Sequence, residues 1–503
     1  MLCYAPRPRG LRAQGANAMF KQMAQSSLDQ SWAVEAAEQA LAGKQPRGPG
    51  GRSRWAILRR QLPLLLDPIG TVGGRFARYG DAYLVPQRGH DLYVFRGPEH
   101  VQDVLVTHAA AFDKQHTAFH RLSEVLGDAL LTSEGERWRR QRRLVQPAFA
   151  RPRLAQYGAV MVEEAASAVE QLVARAAAES GGLRVDLSRE INALTLRIVT
   201  RTLFGEEAKI PGVTAEVIQT ARTGAAMQAI NRYFGLPDVL LRAWPPAGRR
   251  FEAAQRDLND AVQQLIAARR QSLGPDAQPS DLLSALMLTR DEQGQALTQE
   301  ELRDQLLTLY VAGHETTSHA LSWTFYLLSQ HPDVRARLDA EHARVLGGRL
   351  PTFEDLAALP YTEQVLNEAL RLYPPVFAIP RRAQRDVRVG EYAVPKGSEV
   401  LLWIYYTQRD PRYYEEPERF MPERFASDVV AQRPKYAYAP FGAGQRACIG
   451  QLFALQEAQL VLATWLPRLR LEYAGRKAPR LRTGVTLAPR GGLPMRVHGV
   501  THT

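Results

Sequence analysis

Apolar residues recur at three- and four-residue spacing over much of this chain, and the longest such stretch predicts one helix over 299–330. Thr298 followed three places later by Glu301 fits a capping box, which defines its start. Leu302, Leu306, Leu309 and Tyr310 keep the helical spacing, Leu321, Phe325 and Leu328 continue it, and His331-Pro332 ends it. At about 1.5 Å per residue such a helix spans roughly 45 Å, enough to cross a whole domain. Its apolar residues face nearly every direction, as expected of a helix through the centre of a large protein. Further helices are predicted at about 134–148, 155–176, 186–204, 251–272, 333–346 and 361–372. The run QLFALQEAQLVLATWL from Gln451 reads as another.

β-like runs occupy 82–96, 385–404 and 481–498, each broken by Gly or Pro. Strands and helices do not alternate as a doubly wound sheet requires, and a Gly-rich phosphate loop is missing. The pattern therefore predicts a mainly α fold, one large helical domain with a small β-rich lobe. Residues 27–42 predict a short polar-faced helix, and GKQPRGPGGRSR over 43–54 reads as a linker. Residues 1–54 are thus expected to form a basic extension and 55–503 the folded domain.

Composition sharpens this. The 503 residues are 45% hydrophobic, far too apolar for a disordered chain. The net charge of +12 invites a nucleic-acid role, but the first 60 residues hold ten basic and three acidic side chains. That places +7 there and leaves +5 for the other 443 residues. The body is nearly balanced and carries no nucleic-acid-binding motif, so no nucleic-acid partner is expected. No window approaches 18 uninterrupted apolar residues, and the first thirty lack a signal-like apolar centre, so neither a transmembrane anchor nor secretion is expected. The two cysteines, Cys3 and Cys448, cannot build a disulfide framework, which suits a reducing cytoplasm.

Cys448 stands in FGAGQRACIG, where Phe441, Gly444, Arg446, Cys448 and Gly450 keep F-x-x-G-x-R-x-C-x-G spacing. Flanking glycines let such a loop turn tightly and approach a flat object. Backbone N–H groups and the following helix N-terminus favour a thiolate, which is a good axial ligand for haem iron. In the middle of the long helix lies AGHETT, where Gly313 removes a side chain and Glu315-Thr316 set an acid beside a hydroxyl in an apolar stretch. An ordinary helix would simply bond the Thr316 hydroxyl back to the carbonyl four residues earlier. Glu368 and Arg371 face each other three residues apart, and P-E-R-F occurs twice, at 417–420 and 422–425. Trp138 and Arg142 lie one turn apart on one helix face.

In these motifs, over about residues 65–498, the chain resembles the cytochrome P450 family of haem-thiolate monooxygenases, of the soluble bacterial type. The resemblance implies haem b (iron protoporphyrin IX) between the long helix and the cysteine loop, with Cys448 as the iron ligand. It implies that Phe441, Gly442 and Gly450 shape that loop and that Ala312 and Gly313 line the oxygen groove. Thr316 and Glu315 would bind dioxygen's water network and relay protons. Arg446, Trp138, Arg142, Arg381 and Lys114 match positions that contact the haem propionates. Glu368, Arg371 and Arg424 match a structural brace, with Arg424 preferred over Arg419.

The implied reaction inserts one atom of O₂ into an apolar substrate: a lipid, an isoprenoid or carotenoid, or a secondary metabolite. Electrons would come from NAD(P)H through a reductase and a separate ferredoxin or flavodoxin, steered to the basic patch of Arg137, Arg139, Arg140 and Arg143. A monomer is expected. The pocket would be lined from 114–130, 225–245, 308–317, 376–380 and 483–487, with Ala312, Phe377, Ile379 and Val485 among its apolar residues. Two other readings stay open: a peroxide-driven or isomerising haem-thiolate enzyme, and a haem sensor. The intact Glu315-Thr316 pair counts against both.

Overall fold

The structure, a computed structural model, describes residues 43–499 apart from 52, 54–58, 61, 65, 88–89, 116–122, 124–125, 206–244 and 275–278. The helix expected at 27–42, Cys3 and most of the 225–245 pocket segment lie outside the described residues. Helix dominates: α1 (Pro68–Tyr79), α2 (Gly135–Val145), α3 (Arg151–Ala177), α4 (Leu187–Phe204), α5 (Pro245–Ser272), α6 (Leu282–Leu288), α7 (Gln299–Gln330), α8 (Pro332–Leu346), α9 (Pro360–Leu372) and α10 (Gln451–Trp465), with shorter turns between them. The strands are β1 (Ala82–Val85), β2 (Leu92–Phe95), β3 (Phe112–Asp113), β4 (Leu183–Asp186), β5 (Ile379–Ala383), β6 (Val387–Val389), β7 (Tyr392–Val394), β8 (Glu399–Leu402), β9 (Leu469–Tyr473), β10 (Leu481–Thr483), β11 (Leu487–Pro489) and β12 (Pro494–Gly499).

The capping box forms as the sequence dictates. The Thr298 hydroxyl accepts the Glu301 N–H at 3.1 Å, and the Glu301 carboxylate accepts the Thr298 N–H at 3.0 Å. From there α7 runs through the core against α4, α5, α9 and α10. Two of its buried hydroxyls bond back to their own helix, Ser322 to the Ser318 carbonyl and Thr324 to the Ala320 carbonyl, each at 2.7 Å, whereas the buried Thr308 hydroxyl has no partner among the described residues. Trp323 Nε1 donates to the Leu487 carbonyl at 3.2 Å, tying α7 to the β10–β11 hairpin.

A five-stranded sheet ordered β1-β2-β8-β5-β3 forms the β lobe, with β2 and β8 parallel and the other pairs antiparallel. β4-β12-β9 form a second sheet near the C-terminus. The run expected at 385–404 begins earlier, at Ile379, and the short elements β3, β4, β9 and α6 carry too few residues for their period to show.

The segment from Gly43 is not the free linker that its composition suggests. Lys44 exchanges backbone hydrogen bonds with Glu391 and Ala393, and Leu84 N–H donates to the Arg47 carbonyl at 3.2 Å. Arg60 then donates to the carbonyls of Pro49, Gly50 and Gly51. Residues 44–47 therefore pair with the β lobe, because backbone hydrogen bonding overrides the Gly/Pro composition there.

The deepest polar feature is the ion pair on α9. Both Glu368 and Arg371 are fully buried, with a bidentate contact at 2.6 and 2.8 Å. Arg371 also donates to the carbonyls of Gln408, Pro417 and Arg419, and Glu368 accepts the Met421 N–H. Arg424 Nε stands 3.4 Å from Glu368 Oε1, whereas Arg419 is exposed and pairs with Glu416. Gln408 passes the order on, accepting the Ala439 N–H at 3.0 Å just before the cysteine loop. Removing one partner leaves a bare charge in the core, so Glu368→Ala should cost about 3–5 kcal/mol. Denaturant unfolding measures this, and a cost below about 1 kcal/mol would contradict the assigned role.

Candidate active site

The cysteine loop is held by its own backbone before any side chain contributes. Cys448 N–H donates to the Phe441 carbonyl at 2.9 Å, and Ala447 N–H to that of Gly444 at 3.1 Å. Gly442 and Gly444 take φ of 70° and 67°. A Cβ on Gly444 would sit 2.1 Å from the Leu105 carbonyl oxygen, so glycine is required there. Gly450 differs. Its φ is −89° and a Cβ would make ordinary contact with Phe149, so the tight-turn requirement falls on Gly442 and Gly444 rather than on Gly450.

The Cys448 thiol is accessible. Burial pushes its pKa up from the ordinary 9.0, while the Gly450 N–H and the Arg142 guanidinium pull it back. Arg142 itself donates to the Ala447 carbonyl at 2.9 Å.

Four cations gather beside this loop. Arg446 lies flat on the Trp138 ring, 3.9 Å from its centroid, and pairs with Glu134 at 2.5 Å. Lys114 donates through Nζ to the Leu131 carbonyl at 3.1 Å, and its backbone N–H goes to Glu134. Arg381 is buried, with a donated bond to its neighbour's Pro380 carbonyl. Burial, then the Arg381 and Arg446 charges, push the Lys114 pKa well below 10.5. Burial and Arg446 bring Arg381 down to about 10. Glu134 offsets part of this, and Asp113 is already engaged by Arg382 at 2.9 Å. Positive charge is in excess, as it is where a site awaits an anion.

In the middle of α7 the cover of protein breaks. Ala312 is exposed and Thr316 half-buried, one turn apart on the same face. The Thr316 hydroxyl donates back to the Ala312 carbonyl at 2.8 Å, the ordinary helical arrangement. Gly313 does not leave the gap expected of it. A Cβ there would lie 2.8 Å from Val199, so its first service is to let α4 approach α7. Glu315 is buried and accepts a hydrogen bond from the Thr486 hydroxyl, with His319 Nδ1 at 3.7 Å.

Among the apolar residues expected to line a pocket, Ala312 and Val485 stand open, but Ile379 is buried in the β-lobe core and Phe377 packs on Trp403. The expected arginine patch is also corrected. Arg137 pairs with Asp128, Arg139 with Glu136, Arg140 with Asp291 and Glu301, and Arg143 with Glu292, so the face is charge-balanced.

Two residues escaped the sequence reading. Glu134 joins Lys114 to Arg446, and nothing in its immediate sequence marks that. Glu457 lies fully buried on α10, where burial pushes its pKa well above 4.5. A lone acid within QLFALQEAQLVLATWL is the signal that marked it.

The cytochrome P450 family model matches residues 74–493. Cyclooctatin synthase of Streptomyces melanosporofaciens is 36% identical over 423 residues, covering 83% of this chain and 89% of that one. Pentalenene oxygenase of Streptomyces avermitilis is 35% identical over 419 residues, covering 83% and 88%. The cytochrome P450DA heme domain superposes with a TM-score of 0.79 at 26% identity, covering 91% of this chain and 98% of that one. The chain belongs to the cytochrome P450 family and is a haem-dependent monooxygenase using a cysteine thiolate and O₂. Among the described residues no helix is long and apolar enough to cross a membrane. The site fits the family's group: an open thiol on a glycine-shaped loop, and buried cations outnumbering their carboxylates as a dicarboxylate ligand requires.

The raised thiol pKa has a direct consequence in haem-free protein. Cys448 is therefore mostly thiol at pH 7, so its alkylation by iodoacetamide should be slow there and climb as the pH is raised into the alkaline range. Mass spectrometry of the Cys448 peptide separates it from Cys3, and full-rate labelling at pH 7 would contradict the shift.

Proposed function

We propose that this P450 oxygenates a cyclic terpenoid, receiving electrons from a separate ferredoxin- or flavodoxin-type protein supplied by NAD(P)H through a reductase. The observation that carries the substrate class is the 36% and 35% identity to cyclooctatin synthase and pentalenene oxygenase, each over 83% of this chain. A reducing cytoplasm, where Cys448 stays free, is the compartment that suits such a chain.

Bound haem supplies the activation of O₂; the chain supplies everything that orients and protonates. In this reading Cys448 would ligate the iron, its thiolate favoured by the Gly450 N–H and by Arg142. The Phe441 carbonyl and the turns at Gly442 and Gly444 would hold the loop that presents this ligand. Arg446 on Trp138, Arg142, Arg381 and Lys114 would hold the two propionates, and relief of the repulsion among these cations would favour that binding. Ala312, exposed on α7, would keep the oxygen side free of a bulky side chain. Thr316 holds a proton donor at Oγ1, released from the Ala312 carbonyl when needed, and Glu315 passes protons from the protein side. The net change is RH + O₂ + two electrons + two protons giving ROH + H₂O.

The test is a reduced, CO-bound spectrum followed by turnover with ferredoxin, ferredoxin reductase and NADPH on panels of cyclic terpene hydrocarbons, fatty acids and polyketides. A thiolate-type spectrum with terpenoid products is expected, and product only from fatty acids or polyketides would overturn the substrate class. Loss of the thiolate band in Cys448→Ala is the matching check on the ligand. Lys114→Met should leave haem-free protein at least as heat-stable, since it removes a repelled charge, while haem is lost roughly tenfold faster. Haem transfer to apomyoglobin measures the second effect, and an unchanged loss rate would separate Lys114 from the propionates.

A further inference from the structure

The acid of the oxygen groove is held by a group from outside its own helix. Glu315 lies on α7, but the group bonded to its Oε1 is the hydroxyl of Thr486, which sits in the turn between β10 and β11. Both side chains are buried, at 3% and 6% exposure, so water does not compete for the contact. That turn is itself anchored to the core: Leu487 N–H donates to the Pro375 carbonyl at 2.9 Å and Trp323 of α7 donates to the Leu487 carbonyl. Thr316 is meanwhile bonded to Ala312, so the acid takes its orientation from the hairpin and not from the neighbouring hydroxyl. A carboxylate is free to rotate about its last bond, and a buried hydroxyl on one oxygen sets that rotation. His319 Nδ1 stands 3.7 Å from the same oxygen.

We propose that Thr486 is a positioning residue for proton delivery: its hydroxyl holds Glu315 in the rotation from which protons pass toward Thr316. This rests on the reading of Glu315 as the proton-relaying acid. Turnover consumes two electrons and two protons per O₂ when substrate is oxygenated. In the absence of substrate the same electrons and protons give H₂O₂, or four of each give two waters. Both routes draw on the same acid, and the electrons come from reduced ferredoxin, so the native substrate is not needed to see the effect.

The experiment uses the full haem-loaded chain with ferredoxin, its reductase and NADPH, and compares NADPH oxidation in H₂O and D₂O. Glu315→Gln and Thr486→Val should each slow oxidation by roughly ten- to hundredfold and enlarge the solvent isotope effect. Thr486→Ser, which keeps the hydroxyl, should restore most of the rate. The double variant E315Q/T486V should be no slower than E315Q alone, because both changes break one interaction. Every variant is checked for the reduced, CO-bound thiolate band, and Thr486→Ala takes the place of Thr486→Val if the latter does not load haem. A slow E315Q beside a T486V with wild-type rate and isotope effect overturns the positioning role while leaving Glu315 in place. Multiplicative losses in the double variant overturn it as well. An E315Q variant indistinguishable from wild type removes the reading of Glu315 itself, and the inference falls with it.

Discussion

Glu368 and Arg371 are two opposite charges in a place that water does not reach, and that constraint organises the cysteine side of the molecule. A buried guanidinium is tolerable only when its donors are used. The carbonyls that satisfy Arg371 belong to Gln408, Pro417 and Arg419, all from the long irregular stretch after the β lobe. That stretch has little regular secondary structure of its own, so its path is set by what it must offer to the ion pair. Gln408 then fixes Ala439, and Tyr414 donates to the Ala437 carbonyl at 3.0 Å. The loop that presents Cys448 is thereby built outward from a salt bridge that takes no part in chemistry.

Positive charge has opposite fates on the two sides of α2. On the inner side Lys114, Arg142, Arg381 and Arg446 gather, and burial, joined by repulsion from neighbouring cations for Lys114, Arg381 and Arg446, holds their pKa values down. On the outer side Arg137, Arg139, Arg140 and Arg143 each meet a carboxylate. Composition counts these residues alike. Partner geometry separates a cluster that awaits an anion from a face that is already neutral, and any electron-donor contact on this face would have to compete with those ion pairs.

Much of the architecture was legible because it rests on local rules. The capping box at Thr298, the stop at His331-Pro332 and the limits of α4, α7, α8 and α9 follow from spacing within one turn. Arg424 could be preferred over Arg419 from its place relative to the cysteine loop, and it is the one beside Glu368. The misreadings share a cause. Gly313 looked like space for a ligand, and Ile379 like pocket lining, because a sequence does not say which element packs opposite. Val199 and the β-lobe core supply those neighbours. The segment from Gly43 looked like a spacer, because backbone hydrogen bonds to β7 and β1 leave no mark on side-chain composition.

Sequence by itself determined the family, the long central helix, the thiol at Cys448 and the residue types gathered around it, since each is a matter of identity and short-range spacing. Tertiary structure alone decided the electrostatics and the aim of those groups. Glu134 lies next to the start of α2 yet joins Lys114 to Arg446, more than three hundred residues apart in the chain. Thr486, on a hairpin near the C-terminus, orients an acid on the central helix. Burial, charge excess and the direction of a carboxylate depend on distances across the fold, and the linear order of residues does not encode those distances one position at a time.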